Sequence, residues 1–428
     1  MKVIDLRLEQ ASQWQSLLSR RYTPHPKLIS EVSTIISEVR QQGDHALIEF
    51  ARRFDGAHFV PQDLRVSEPE IQIATGLVKP ALFHALEAAH ANVFGFASQS
   101  LRADWMAENG QGAEVGERFN PLSRVGIYVP AGTAPLVSTA IMTVSLAAAA
   151  RVPEIAAVSP VGPNKTVNPG LLTALQLAGA TEIYKIGGAQ AIAALAFGTE
   201  TIQPVCKIFG PGNAYVTEAK RQVFGYVGVD LVPGPSEIMI VADDTAVAAW
   251  VAADLLAQAE HGRGSVICLV ALEEHVIEAV QAEIAQQANS LVRRTALNEV
   301  LEHNALFVRA KDEEQAIELV NAFAPEHLSL VTRHSEKMAE RIFNAGAIFI
   351  GNFSPVATGD FLAGPSHELP TGGAARSFGG LTVDHFQRRT SIVRYDREAL
   401  SKSVSIISQF SEVEQLDAHG RSVSIRFE

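Results

Sequence analysis

The chain has 428 residues, 47% of them hydrophobic and 19% charged, with a formal net charge of -12. That length exceeds one ordinary core and predicts two or three domains of a soluble, globular protein. The acidic balance argues against nucleic acid or an anionic membrane as a partner, and no apolar run reaches the ~20 residues of a membrane span.

The N-terminus, beginning Met1-Lys2-Val3-Ile4-Asp5-Leu6, mixes acids and bases and has no signal-peptide core, so a cytoplasmic location is expected. Residues 1–122 read as mainly helical. Leu28, Val32, Ile35, Ile36, Val39, Leu47 and Phe50 fall at helical spacing over 26–54, and a second helical pattern covers 80–96. The charged, glycine-containing stretch 108–117 reads as a hairpin or loop.

From 123 the pattern changes. Strand-like runs at 124–129, 155–159, 182–186 and 205–209 alternate with helical segments at 134–151, 171–178, 189–197 and 214–223. The alternation predicts a parallel sheet covered by helices on both faces. It restarts after Pro233-Gly234-Pro235. Strands are expected at 238–242, 265–271, 305–309, 328–332 and 347–351, with helices at 246–258, 275–288, 313–323 and 336–345. The fold class is therefore α/β, with two successive incomplete Rossmann-like units at 123–235 and 236–383. Residues 384–428 form a helix-and-strand tail with little core of its own, of the kind that packs on a neighbour. Cys206 and Cys268 both sit in apolar runs and read as strand residues rather than a disulfide.

Several stretches carry residues suited to chemistry, each with a plainer reading beside it. Gln258 and His261 lie three apart at a helix end and share a face, so both are plausible metal ligands. The same stretch reads as a helix C-terminus with a dipole-compatible His and a Gly cap at Gly262. Glu326-His327, between Ala324-Pro325 and an apolar strand, suits a general base and a water-activating carboxylate, or a solvated turn. Asp360 and His367 lie in a Gly/Pro-rich segment after the last strand of the second unit, where the carboxyl ends of parallel strands bind ligands. It also reads as a linker. The turns Gly187-Gly188-Ala189-Gln190 and Gly210-Pro211-Gly212-Asn213 each precede a helix, so their amides suit a phosphate or simply a cap. Neither is G-x-G-x-x-G.

Taken together these stretches resemble the histidinol dehydrogenase family over essentially the whole chain. The most specific run holds Asp230, Pro233-Gly234-Pro235-Ser236-Glu237, Ala246, Ala253-Asp254-Leu255-Leu256, Gln258 and Glu260-His261. Val129-Pro130-Ala131-Gly132, Gly187 to Ile192, Phe209 to Asn213, Pro325 to Leu328 and Leu416-Asp417-Ala418-His419 add to it. The chain departs from the family pattern in the Ala-rich helix around Ser145-Leu146-Ala147-Ala148-Ala149-Ala150 and at Ala131, where a Gly is common.

The resemblance implies one zinc per subunit held by Gln258, His261, Asp360 and His419, with His419 reaching the other subunit's site in a homodimer. It implies Glu326 and His327 as the catalytic pair. Ser236, His367 and Glu414 match substrate-contacting positions, together with Gln258, His261, His327, Asp360 and His419. Tyr128, Gln190 and Asn213 match positions that contact NAD. The implied reaction is a four-electron oxidation of L-histidinol to L-histidine through the aldehyde with two NAD, the last step of histidine biosynthesis. Aldehyde dehydrogenases of related architecture use a thiolate for the second oxidation. With both cysteines read as strand-interior residues, water attack is expected here instead. An alternative within the same class is a paralogue with this zinc site acting on another small polar alcohol, such as a sulfonated diol. A zinc-holding binding protein without turnover is set against by the presence of both Glu326 and His327.

Overall fold

The computed structural model describes residues 2–6, 23–131, 134–232, 234–262 and 264–428. Gly132 and Pro233, each part of a motif above, lie outside the described residues. No described helix is long and apolar enough to cross a membrane.

Two parallel sheets organise the chain. The N-terminal segment contributes β1 (Lys2–Asp5), helices α1 (Pro26–Gln42), α2 (Asp44–Phe50), α3 (Glu68–Leu77) and α4 (Pro80–Gln99), and the hairpin strands β2 (Trp105–Glu108) and β3 (Glu114–Pro121). The first α/β unit runs β4 (Arg124–Tyr128), α5 (Val137–Ala149), β5 (Glu154–Val158), α6 (Pro169–Ala178), β6 (Glu182–Tyr184), α7 (Gly188–Phe197), β7 (Lys207–Phe209), α8 (Ala214–Val223) and β8 (Gly228–Val229). Its strands lie in the order β6-β5-β4-β7-β8.

The second unit runs β9 (Glu237–Ala242), α9 (Ala248–Ala259), β10 (Val266–Ala271), α10 (Glu274–Gln287), α11 (Arg294–His303), β11 (Ala305–Arg309), α12 (Glu313–Phe323), β12 (His327–Val331), α13 (Ser335–Ala339), β13 (Ala347–Ile350) and α14 (Val356–Phe361). Its sheet has the order β1-β11-β10-β9-β12-β13. Leaving β1 aside, both units follow the same plan: third, second, first, fourth, fifth strand. The order reverses beside the first strand, between β4 and β7 in one unit and between β9 and β12 in the other.

The pattern of side chains explains the layers. Every residue of β9 and β12 is buried, as central strands covered on both faces require. Alternate residues feed two cores: Ile238, Ile240, Leu269 and Phe307 on one face, Met239, Val241, Val270 and Leu328 on the other. The N-terminal helices pack on the first unit and share its core, through Val32, Leu47, Leu86 and Val93.

Four differences from the sequence reading have clear causes. The helical stretch 26–54 breaks at Gly43, which adopts φ +54, and the Glu200 carboxylate occupies the space a side chain would need while accepting the Asp44 N–H at 2.7 Å. The N-terminal segment is not only helical. Its first strand pairs in register with β11, Lys2 opposite Leu306, a partner almost the whole chain away. Helix α11 carries buried Leu297 and Val300 and was not anticipated in the sequence. Cys268 is buried in β10, but Cys206 lies just before β7 and is exposed, beside the Ser123 hydroxyl.

The tail begins as β14 (Gln387–Arg394), which pairs antiparallel with β3 along its full length, and continues as α15 (Arg397–Val413) and α16 (Asp417–Ser424). These two helices pack chiefly on one another. They leave Ile406, Phe410, Val413, Leu416 and Ile425 exposed.

Candidate active site

Helix α12 ends on Ala324, a buried residue held at φ +53, and Pro325 follows. This tight exit delivers Glu326 and His327 onto the amino end of β12, the central strand next to β9. Both side chains are buried. The main-chain oxygen of Glu237 lies 3.1 Å from His327 Nδ1. A carbonyl only accepts, so Nδ1 carries the proton and Nε2 keeps its lone pair. That Nε2 faces Asp360, 3.7 Å from its Oδ1. Burial pushes the His327 imidazole below the ordinary histidine range, against the pull of Asp360.

Glu326 and Glu237 hold each other across the two strands. The Glu326 carboxylate accepts the Glu237 N–H at 2.7 Å, and the Glu237 carboxylate accepts the Glu326 N–H at 3.3 Å. Burial holds the Glu326 carboxyl well above the usual carboxylate range. The nearby charges of Glu237, Asp360 and Glu368 add to the rise, and the Glu237 N–H only partly offsets it.

This gives a stability expectation with a definite sign. A carboxyl with a raised folded-state pKa costs nothing below the ordinary carboxylate range and destabilises as pH rises through the raised value. Glu326→Gln keeps the shape and an acceptor for Glu237. Its Tm should match the unmodified protein near pH 4 and exceed it increasingly toward pH 8. A Tm difference independent of pH would contradict buried ionisation at Glu326.

Asp360 and His367 reach the same place by a route the sequence did not reveal. The chain leaves the carboxyl end of β13, and α14 then doubles back along that edge strand. A cavity of about 360 Å³ results, lined among others by His327, Phe349, Thr358, Gly359, Ser366 and His367. Gly359 is required there, because a side chain would collide with the Phe349 ring. The candidate site therefore lies at the amino ends of the second sheet, not outside its carboxyl ends as expected. His367 Nδ1 donates to the Asp360 main-chain oxygen at 2.9 Å, and Nε2 lies 3.2 Å from the Thr139 hydroxyl and 3.4 Å from Glu368. Burial alone would lower its pKa, but Glu368 and Asp360 outweigh that and raise it. Both ring nitrogens thus have partners within one chain. Thr139 belongs to α5, so His367 ties the second unit to the carboxyl-end side of the first.

Gln258 is buried in the last turn of α9, and among the described residues neither its side-chain oxygen nor its nitrogen has a hydrogen-bond partner. His261 follows in the turn, exposed, its N–H bonded to the Gln258 carbonyl. Gly262 adopts φ +93, so the plainer C-cap reading also holds. Packing around the ring lowers the His261 pKa even though much of the residue is open to solvent; the Asp360 charge opposes the shift, and His367 and Arg293 reinforce it. Ser236 sits half-buried immediately before β9. Glu414 and His419 are exposed on the tail helices and do not join this group. Among the described residues, no three His, Cys, Asp or Glu side chains form a metal-holding cluster.

The residues expected to contact NAD, Tyr128, Gln190 and Asn213, collect at the carboxyl ends of the first sheet. Tyr128 ends β4, and its hydroxyl accepts the Gly188 N–H at 3.1 Å. Burial pushes that phenol up to about 12. Gln190 is buried in the first turn of α7. Asn213 caps α8, its side-chain oxygen accepting from the N–H groups of Tyr215 and Val216 at 3.0 and 3.2 Å.

A family model described as histidinol dehydrogenase matches residues 18–427. The chain is 42% identical over 397 residues to a histidinol dehydrogenase of Geobacillus kaustophilus, covering 93% of each chain. It is 41% identical over 421 residues to one of Parasynechococcus marenigrum, covering 98% of this chain and 96% of that one. The crystal structure of histidinol dehydrogenase from Elizabethkingia anophelis superposes with a TM-score of 0.96 at 34% identity, covering 100% of this chain and 98% of that one. The chain belongs to the histidinol dehydrogenase family.

Family membership makes it a dehydrogenase and gives the site residues a common frame. The zinc that the family resemblance implies can be tested on the donors present. A buried amide with no partner costs about 1–3 kcal/mol unless something satisfies it. A cation at the Gln258 oxygen would do so, with His261 and Asp360 close by. The donor set of amide, imidazole and carboxylate suits Zn²⁺, so the residues fit. Sequence reading assigned no role to Glu237 or Thr139. Glu237 had a signal, a carboxylate directly before a fully apolar strand. Thr139 had none, because its partner His367 lies far along the chain.

Proposed function

We propose that the protein oxidises L-histidinol to L-histidine through L-histidinaldehyde, with two NAD and one zinc per subunit, as the last step of histidine biosynthesis. The observation that carries this reading is the His327 ring: Nδ1 is tied to the Glu237 carbonyl, and Nε2 faces Asp360.

Gln258, His261 and Asp360, with His419 of a second copy, would hold the metal. Bound there, it would supply Lewis acidity and help to orient the substrate. The chain's own groups do the rest. His327 is neutral near pH 7 because burial lowers its pKa, so Nε2 accepts the hydroxyl proton as hydride passes from the carbinol carbon to NAD⁺. Glu326, a carboxyl with a raised pKa and therefore a stronger base once ionised, takes a proton from water as its oxygen adds to the aldehyde carbon. The hydrate then loses a second hydride. In total one alcohol, one water and two NAD⁺ give one carboxylate, two NADH and three protons. No cysteine takes part. Cys268 is buried in the second sheet, and Cys206 lies on the surface beside β7.

NAD is assigned to the carboxyl ends of the first sheet, where Tyr128, Gln190 and Asn213 stand, and the Thr139–His367 contact supports a cleft shared with the second unit. Exposed Ile406, Phe410 and Val413 support a homodimer in which the tail covers, and completes, the neighbouring site.

The test is a count. Two NADH should form per L-histidinol consumed, with histidine as product and little free aldehyde. One NADH with accumulating aldehyde would refute the four-electron reading. Turnover of a sulfonated diol in preference to histidinol would favour the paralogue instead.

A further inference from the structure

The turn 210–213 follows β7, next to the place where the strand order of the first sheet reverses, which is where doubly wound sheets bind dinucleotides. Beneath it lie two buried charges that the proposed chemistry does not use. Lys220 on α8 and Asp230 just past β8 form an ion pair whose side chains are 1% and 3% exposed. Both also end on one residue. The Lys220 ammonium donates to the Gly210 carbonyl at 2.9 Å, and the Asp230 carboxylate accepts the Gly210 N–H at 2.7 Å. Asp230 is itself anchored through its N–H to the Ile208 carbonyl of β7 at 3.1 Å.

The clamped residue has no conformational slack. Gly210 adopts φ +103, and a Cβ there would run into the Tyr128 carbonyl oxygen. A Cβ on Gly212 would run into Val216. The turn is thus pressed onto the end of β4 on one side and the start of α8 on the other, with Asn213 closing it as the cap. Tyr128 meets both glycine turns, through its main chain at Gly210 and its hydroxyl at Gly188.

A buried ion pair is a weak device for stability, since apolar residues of similar volume often do as well. Two buried charges that converge on both polar groups of a single glycine point to control of conformation instead. We infer that Lys220 and Asp230 are positioning residues that hold the turn 210–213 in its dinucleotide-receiving shape. This rests on the proposed binding of NAD to the first unit.

The test uses the full dimeric enzyme with the charge-neutral double variant Lys220→Met/Asp230→Asn. Asp230→Glu serves as a second variant that keeps the pair but displaces the Gly210 N–H by a methylene. The KM for NAD and the Kd measured by NAD titration should rise together by roughly 10–100-fold, the usual consequence of a misplaced positioning contact. The KM for histidinol and kcat at saturating NAD should change little. If Tm falls in the folded variants while both NAD parameters stay put, the pair is merely structural and the inference is overturned. If the double variant does not fold, the Asp230→Glu result decides in the same way. If the unmodified enzyme shows no saturable NAD binding, the proposed function fails, and the inference with it. Saturable binding that neither variant weakens overturns the inference alone.

Discussion

Replacing His327 by asparagine should lower kcat by roughly 10²–10⁴-fold, the usual size of a general-base effect. The structure makes the substitution informative. Asparagine can still donate to the Glu237 carbonyl that now accepts from Nδ1 at 3.1 Å, so the amino end of β12 keeps its pairing with β9. It places no basic nitrogen where Nε2 faces Asp360, 3.7 Å away. The KM for histidinol should change far less than kcat, because the proposed metal ligands and Ser236 are untouched. Steady-state kinetics at saturating NAD check this, and an unchanged kcat would remove His327 from the chemistry.

A mixed dimer of His261→Ala and His419→Ala subunits should regain activity that neither parent homodimer has. His261 stands at the end of α9 within reach of the Asp360 charge, whereas His419 is exposed on the tail, whose two helices pack mainly on each other. If each tail serves the neighbouring body, both lesions fall in one site of the mixed dimer and the other site is intact. About half of the normal activity per dimer should return. If each tail serves its own body, every site carries one lesion and nothing returns. Co-expression with two tags and sequential purification isolates the mixed species. A dead heterodimer would mean that His419 does not complete the neighbouring site.

The two units were legible because α/β alternation is local. A parallel strand buried on both faces must be a short apolar run, and its crossover helix must follow within the next turns of chain. Hence β11, α8 and α12 fall where the spacing of their own residues puts them. Gly43 shows the limit of that reasoning. Helical spacing runs on past it, and the Glu200 carboxylate that fills its side-chain space and accepts the Asp44 N–H comes from more than 150 residues away. Strand β1 shows the same limit at the edge of the second sheet, as does the partner strand β3 for the start of the tail.

For the site, the chain's order of residues already supplies the chemical types: Glu326 beside His327, Gln258 three residues before His261, Asp360 and His367 in one segment, and the glycine turns after β6 and β7. Residue identity and short spacing are properties of the chain alone. Which of them come together is set by the packing of the folded chain. The strand order brings β12 against β9, so Glu237 can hold both members of the Glu326/His327 pair. The reversal of α14 carries Asp360 to the amino end of the sheet, and Thr139 on the first unit meets His367. These contacts join residues about 30 to 230 positions apart. No local periodicity encodes such pairs, because they are set by which strands are neighbours and by which side of the sheet each connection crosses.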